Sequence, residues 1–243
     1  MTYYRTLLYS AALLLLAATT APAQHLEAVG VGASFNISQT WARQRVIQAG
    51  PYTLQTHIDG SRLDDTGNRY SAYARIGFAA GQLFVQPEVA YTSVLGNQSS
   101  ITYFSRPDIN LQYPDLAYLY PRIRRAEVAV LGGAHLSRRM YVLAGPVLAF
   151  NRRDKPGYDP SFKPMELYNS LNRSVEKVQL LGQLGLGIQL WRFDLTARYE
   201  HSLTPYTKAF TYQQQAYAYR QRTGQAIFGL GFLLYDRHRP WRQ

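Results

Sequence analysis

Apolar and polar residues alternate along most of this chain. Between Leu180 and Leu203 the alternation runs through two consecutive stretches. Leu180, Leu184, Leu186, Ile188 and Leu190 oppose Gln183, Gly185, Gly187 and Gln189. After Trp191 and Arg192, Phe193, Leu195, Ala197 and Tyr199 oppose Asp194, Thr196, Arg198 and Glu200. A period of two sends successive side chains to opposite faces of a β-strand. The stretch therefore predicts a long antiparallel hairpin with a tight turn, one face apolar and the other polar or charged.

The same period recurs at Glu27–Ser38, Tyr70–Phe78, Leu83–Tyr91, Arg125–Leu136 and Gln225–Tyr235. In the last of these, Phe228, Leu230, Phe232 and Leu234 face one way, and Gly229, Gly231 and Tyr235 the other. Met140–Phe150 is apolar on both faces, which leaves its register open. The total is eight strands, and an even number closes an antiparallel sheet without edges. Tight connections at Ala79–Gln82, Ser137–Arg139 and Trp191–Arg192 alternate with long ones at about 39–69, 93–121, 151–174 and 203–221. Short periplasmic turns alternating with long outer loops belong to a transmembrane barrel. The predicted fold is thus all-β: an eight-stranded antiparallel up-and-down transmembrane β-barrel with short periplasmic turns, long extracellular loops and both termini periplasmic.

A soluble barrel, apolar inside and polar outside, shares the alternation. Composition separates the two. A water-facing surface is rich in Lys and Glu, whereas this chain has lysine only at positions 155, 163, 177 and 208, none in mid-strand. The polar face carries Gly, Ser and Gln with a few charges. An inward set of Arg75, Arg125 and Arg198 against Glu88, Glu127, Asp194 and Glu200 nearly balances, as buried charges require. These seven residues are the expected lumen charge network. Its expected role is to hold the strands together in a plugged barrel rather than to line a pore.

Four motifs in order on these strands resemble the PorT-like outer-membrane β-barrel proteins of Bacteroidota, which share the OmpA-like architecture. They are Phe84-Val85-Gln86-Pro87-Glu88-Val89-Ala90-Tyr91, Met140-Tyr141-Val142-Leu143-Ala144-Gly145-Pro146, Leu184-Gly185-Leu186-Gly187 and Leu195-Thr196-Ala197-Arg198-Tyr199. The resemblance implies location and fold far more than activity. It also accommodates Pro87 and Pro146 inside strands, where each removes a ladder hydrogen bond and suggests a bulge or kink. The chain departs from the usual barrel ending: Tyr235 supplies a terminal aromatic, but a basic tail follows it.

Residues 1–23 read as a secretory signal peptide, with Arg5, an apolar run from Leu7 to Ala18 and Ala21-Pro22-Ala23 at the cleavage site. The domains expected are the signal peptide 1–23, the barrel 24–236 and a basic tail 237–243. There is no cysteine, so disulfides do not hold the fold. The net charge is +11 and mostly arginine, which suits outer-membrane lipid and lipopolysaccharide phosphates. Export and the lack of a nucleic-acid motif argue against nucleic acid.

No catalytic, cofactor-binding or metal residues are expected. His201-Ser202 is the nearest approach to an enzymatic pair, since some eight-stranded outer-membrane barrels are lipid A deacylases with His and Ser on the lipid side. Neighbours on one strand point oppositely, and the fuller motif is absent. His25, His57, His135, His201 and His238 lack metal-ligand spacing. The Gly-x-Gly pairs at 30–32, 185–187 and 229–231 leave room for inward neighbours. Tyr70, Tyr91 and Tyr199 suit an interfacial aromatic girdle.

The outer loops carry two tyrosine-rich groups: Tyr103, Phe104, Tyr113, Tyr118 and Tyr120, then Tyr206, Phe210, Tyr212, Tyr217 and Tyr219. Arg106, Arg122, Arg152 and Arg153 are interleaved. Loop packing and contact with protein or glycan partners both fit them. The function expected is a non-enzymatic outer-membrane barrel, structural, adhesive or secretion-associated. Its alternatives are a lipid A-modifying enzyme and a soluble periplasmic ligand-binding barrel.

Overall fold

The structure is a computed structural model describing residues 24–42, 46–55, 66–78, 82–95, 99–103, 115–119, 122–153 and 164–237. The expected signal peptide, the turn residues 79–81 and tail residues 238–243 lie outside these.

Each period-two stretch is a strand. In chain order the elements are β1 (His25–Ala42), β2 (Val46–Ala49), β3 (Tyr52–Gln55), β4 (Thr66–Phe78), β5 (Leu83–Leu95), β6 (Ser99–Tyr103), β7 (Asp115–Leu119), β8 (Arg122–His135) and β9 (Met140–Arg152). Then follow α1 (Met165–Ser174), β10 (Val178–Leu190), β11 (Phe193–Ser202), β12 (Phe210–Tyr212), β13 (Gln215–Tyr217) and β14 (Gln221–Asp236). The eight long strands close a barrel in the order β1-β14-β11-β10-β9-β8-β5-β4, every neighbour antiparallel. Closure leaves no unpaired barrel edge, and backbone groups are satisfied within the wall. The shortest wall strand has 10 residues, and about 9–11 tilted residues cross a bilayer core.

The barrel is inside-out relative to a soluble one. On β11, Asp194, Arg198, Glu200 and Ser202 are buried, while Phe193, Leu195 and Tyr199 are exposed. On β5, Phe84, Gln86, Glu88 and Thr92 are buried, while Leu83, Val89 and Tyr91 are exposed. Val31, Phe35, Val128, Leu184, Leu186, Phe228 and Leu230 extend the apolar exterior around the wall. A soluble monomer rarely exposes a continuous apolar band of this kind.

The interior of β9 resolves its two-faced sequence. Tyr141, Leu143, Val147 and Ala149 point inward and join Phe84, Ala129, Leu131 and Leu181 in one cluster. The lumen therefore has an apolar side on β5, β8, β9 and β10, packed by close approach of aromatics to glycines. A methyl group on Gly187 would lie 2.1 Å from the Tyr141 ring, and one on Gly133 would lie 2.1 Å from the Phe84 ring. Gly187→Ala is expected to cost about 1–3 kcal/mol by overpacking, read in urea unfolding. A neutral result would mean that Tyr141 has room to move.

Three expectations need correcting. Tyr235 lies on the outer face, not the inner one. The β1–β14 register shifts where Val29 pairs Tyr235 and Gly30 pairs Leu233. This bulge at Leu234 keeps both Leu234 and Tyr235 exposed and turns Asp236 inward. The in-strand prolines produce no slip of register. The β4–β5 ladder is interrupted between Tyr73↔Glu88 and Ile76↔Val85, and the β8–β9 ladder between Ala129↔Val147 and Gly132↔Ala144, and each resumes in phase. The shifts fall instead near the start of β1. Finally, the chain holds more than eight strands, because the long connections are themselves folded.

Those connections build a cap. They all leave the barrel at one end, opposite the tight turns at Ser137–Arg139 and Trp191–Arg192. β2, β3, β6 and β7 form an antiparallel sheet, and β12 and β13 a hairpin. Ile47, Ala49, Leu54 and Ile101 of the sheet pack with Leu167 and Leu171, one helical turn apart on α1, and with Phe210, Tyr212 and Tyr219. No wall strand contributes to this cluster, so the cap has its own core. Leu54→Ala, at a fully buried position, is expected to loosen the cap by about 2–5 kcal/mol. Limited proteolysis should then cut the cap faster while the barrel keeps its native gel mobility. Loss of that mobility as well would show that the cap core supports the wall.

Candidate functional site

The buried charges lie in two tiers across the lumen. Strands running in opposite directions bring them to one level: Arg69 near the start of β4, Glu88 in mid-β5, Arg125 and Glu127 early in β8, and Arg198 and Glu200 late in β11. In the tier nearer the cap, the Glu88 carboxylate sits between Arg69 Nη1 at 2.8 Å and Arg198 Nη1 at 2.9 Å. Glu127 sits between Arg69 Nε at 2.9 Å and Arg125 Nε at 2.6 Å. Arg125 also pairs with Glu200, which accepts from Gln225 Nε2 at 2.9 Å. Thr92 Oγ1 donates to Glu127 at 2.7 Å. The ring of pairs runs Arg198–Glu88–Arg69–Glu127–Arg125–Glu200, joining β11, β5, β4 and β8 and returning to β11.

The second tier lies toward the tight turns. Asp194 accepts from Tyr73 Oη at 2.8 Å and from Tyr141 Oη at 2.7 Å, and pairs with Arg75 Nη2 at 3.3 Å. The Arg75 guanidinium stacks over the Tyr141 and Phe84 rings at 4.1 and 4.7 Å, an added cation–π attraction. Gln86 links the tiers, donating to Glu88 at 2.9 Å and accepting from Arg75 at 3.0 Å. At the tight-turn mouth His135 Nε2 lies 2.7 Å from Glu27 Oε1. Together the four guanidiniums of Arg69, Arg75, Arg125 and Arg198 face the four carboxylates of Glu88, Glu127, Asp194 and Glu200, all buried. The layer is neutral, and it crosses the lumen beside the apolar cluster of β8, β9 and β10.

All seven residues of the expected lumen network, Arg75, Glu88, Arg125, Glu127, Asp194, Arg198 and Glu200, therefore point inward and meet one another. Arg69 is an addition. The sequence reading ended the preceding loop at 69, whereas β4 begins at Thr66; Arg69 stands in phase with Tyr73 and Arg75, which is the signal that extends the strand. Tyr73 is readable from the sequence only as an inward aromatic, the face of Tyr141 is left open by its two-faced strand, and their shared acceptor requires the barrel to close.

The His201-Ser202 pair divides between faces. His201 is on the outer side against Trp41 and Tyr199, with ring centroids at 5.5 and 6.5 Å. Ser202 is buried, its Oγ accepting the Thr223 N–H at 2.9 Å. This arrangement provides no base for a serine nucleophile. Among the described residues no group of three or more metal-ligating side chains gathers.

Of the loop tyrosines, Phe210, Tyr212 and Tyr219 are core of the cap, and Tyr103 and Tyr217 pack against it. Tyr206 is buried beside Val94, Ile123 and Val175. Burial pushes the Tyr219 hydroxyl well above the usual tyrosine range. Partial burial, and then the carboxylate of its cross-strand partner Asp115, push Tyr103 up. For these residues loop packing is what the structure displays. Phe104, Arg106, Tyr113 and Tyr120 lie outside the described residues. Tyr70, Tyr91 and Tyr199 are exposed on the outer wall, toward the cap-side ends of their strands.

No protein-family profile and no curated protein matches this chain. Among solved structures it is similar to the outer-membrane protein Ail of Yersinia pestis. In a phospholipid nanodisc the likeness is 13% identity over 84% of this chain and 99% of that one, with a TM-score of 0.37. In complex with the heparin analogue sucrose octasulfate it is 12% identity over 86% and 99%, with a TM-score of 0.41. The outer-membrane protein AlkL in lipid bilayers matches at 12% identity over 90% and 95%, with a TM-score of 0.42. What assigns this chain to the closed eight-stranded β-barrels is its own unbroken ring of antiparallel ladders.

Proposed function

We propose that this protein is a non-enzymatic outer-membrane barrel of the PorT-like kind, exported by its first 23 residues. Both termini would be periplasmic, the lumen sealed, and the cap the part that meets the exterior. The observation that carries this reading is the inverted distribution of side chains: eight paired charges in the lumen tiers, and an exposed apolar band on every wall strand. Lipid is the solvent that such an exterior favours. A soluble ligand-binding barrel would need the reverse, with an apolar cavity inside a charged wall.

The lumen supports a structural role. Its charge layer spans four strands in ion-pair contact and leaves no room for a wide aqueous channel. The cap then offers the surface for a structural, adhesive or secretion-associated task, with contacts to lipid, glycan or protein.

The test is a heat-modifiability gel on the membrane fraction. The unheated protein should migrate differently from the boiled one and should resist alkaline extraction. A freely soluble protein with a single mobility would overturn the reading. Incubation with lipopolysaccharide followed by mass spectrometry should leave every acyl chain in place, because His201 and Ser202 face opposite ways. Acyl loss would make the barrel an enzyme.

A further inference from the structure

The lumen tiers are neutral, so none of the net charge of +11 is held there. Three of the cations outside the tiers stand at the cap-side ends of β8 and β9. Arg124 and Arg152 are direct cross-strand partners. Even-numbered residues on both strands face outward: Ala126, Val128 and Phe150 are exposed below them, whereas Arg125 and Glu127 are buried. Arg124 and Arg152 therefore share the outer wall, and Arg122, two residues earlier on β8, adds a third outward guanidinium. Lys177, exposed just before β10, lies one strand over, its carbonyl accepting the Asn151 N–H at 2.9 Å. Glu176 is the acidic neighbour, and the corner as described keeps a surplus of positive charge.

Arg124↔Arg152 is the outward pair nearest the cap on these two strands. The next outward pair down the wall is Ala126↔Phe150, the upper edge of the apolar band. The three arginines thus stand at headgroup height, where a planar guanidinium fork matches phosphate oxygens bidentately.

We infer that the Arg122–Arg124–Arg152 corner is a binding site for the phosphate of a phosphorylated lipid headgroup in the outer leaflet, and that it confers lipid selectivity on this face of the barrel. The inference rests on the outer-membrane reading. The apolar band seats the acyl chains, and the arginines select lipids that bear phosphate at the adjoining height.

The experiment titrates the detergent-purified full-length barrel with bis-phosphorylated lipid A and with the same lipid enzymatically dephosphorylated. Bound lipid is counted by native mass spectrometry. The phosphorylated lipid should bind about tenfold tighter, with that preference abolished in Arg122→Gln/Arg124→Gln/Arg152→Gln. It should be retained in Arg138→Gln/Arg139→Gln at the opposite mouth. Inorganic phosphate should not displace the lipid. Equal binding of both lipids, a preference surviving in the triple variant, or full displacement by free phosphate would each overturn the site. The heat-modifiability gel on each protein keeps this failure separate. A barrel that shows its native shift but no phosphate preference sinks only this inference, while a chain that never shows the shift sinks the outer-membrane reading beneath it.

Discussion

Replacing Glu88 with alanine is expected to cost the barrel about 3–5 kcal/mol, the loss typical of breaking a buried ion pair by removing one partner. Glu88 is the acceptor between Arg69 and Arg198 and also takes a hydrogen bond from Gln86. Without it, the Arg69 and Arg198 guanidiniums lose the anion that stands between them, and Arg198 loses its carboxylate partner. The measurement is the urea midpoint of the barrel folded in lipid vesicles. Glu88→Leu/Arg198→Leu makes the argument sharper. Removing both charges strands fewer ions, and Arg69 keeps Glu127 at 2.9 Å, so the double variant should lose less than Glu88→Ala alone. A single-variant loss under about 1 kcal/mol, the worth of an exposed pair, would mean that water penetrates the tier and that the charges do not tie the strands together.

The second large effect is on the apolar side of the lumen. Phe84→Ala should cost about 3–5 kcal/mol through lost burial and the cavity left behind. The ring is almost wholly buried. It packs edge-on to Tyr141 at 5.6 Å and lies beneath the Arg75 guanidinium. Facing it is Gly133, which has no side chain to fill the space. Phe84→Ala also withdraws one of the two rings over which Arg75 is stacked, so its loss should exceed that of a lumen-facing aliphatic such as Val147→Ala in the same unfolding assay. If the two cost the same, the stacking on Arg75 contributes nothing measurable.

The two variants separate the means by which this barrel is plugged. Glu88 acts through strand-to-strand ion pairing, and Phe84 through aromatic packing against glycine. Neither device needs a ligand, which fits the structural role proposed for the lumen. On the proposed reading, recognition resides on the outer surface: the cap, and the arginine corner at the top of β8 and β9.

Much of this was legible in the alternation itself. On β11 the order Phe193, Asp194, Leu195, Thr196, Ala197, Arg198, Tyr199, Glu200 leaves one choice of faces once the strand is granted, and seven lumen charges follow from such local patterns on β4, β5, β8 and β11. Where the pattern is weak, alternation does not reach the strand ends. Arg69 falls in a loop on sequence alone because Thr66-Gly67-Asn68 is polar or small throughout, although Arg69 keeps the phase of β4. Counting by two places Tyr235 inward because it assumes no inserted residue, and a bulge at Leu234 breaks the count. Pro87 and Pro146 suggest a bulge or kink; their ladders open and resume in phase without a bulge, since a missing N–H removes a bond without adding a residue.

The cap was the least legible part. Its strands are three to five residues long, too short to show a period. What makes them strands is the core assembled from four separate connections: Ile47 and Leu54 from the first, Ile101 from the second, Leu167 and Leu171 from the third, Phe210 and Tyr212 from the last. The sequence by itself determined the number of wall strands, the faces of most of them and the alternation of short and long links, because the backbone pleat ties facing to parity along a single strand. Only the tertiary structure decided which charge meets which, that Tyr73 and Tyr141 share Asp194, that Arg124 stands opposite Arg152, and that the loops have a core. Each of these depends on register between strands distant in sequence, and that register is set by closing the barrel as a whole.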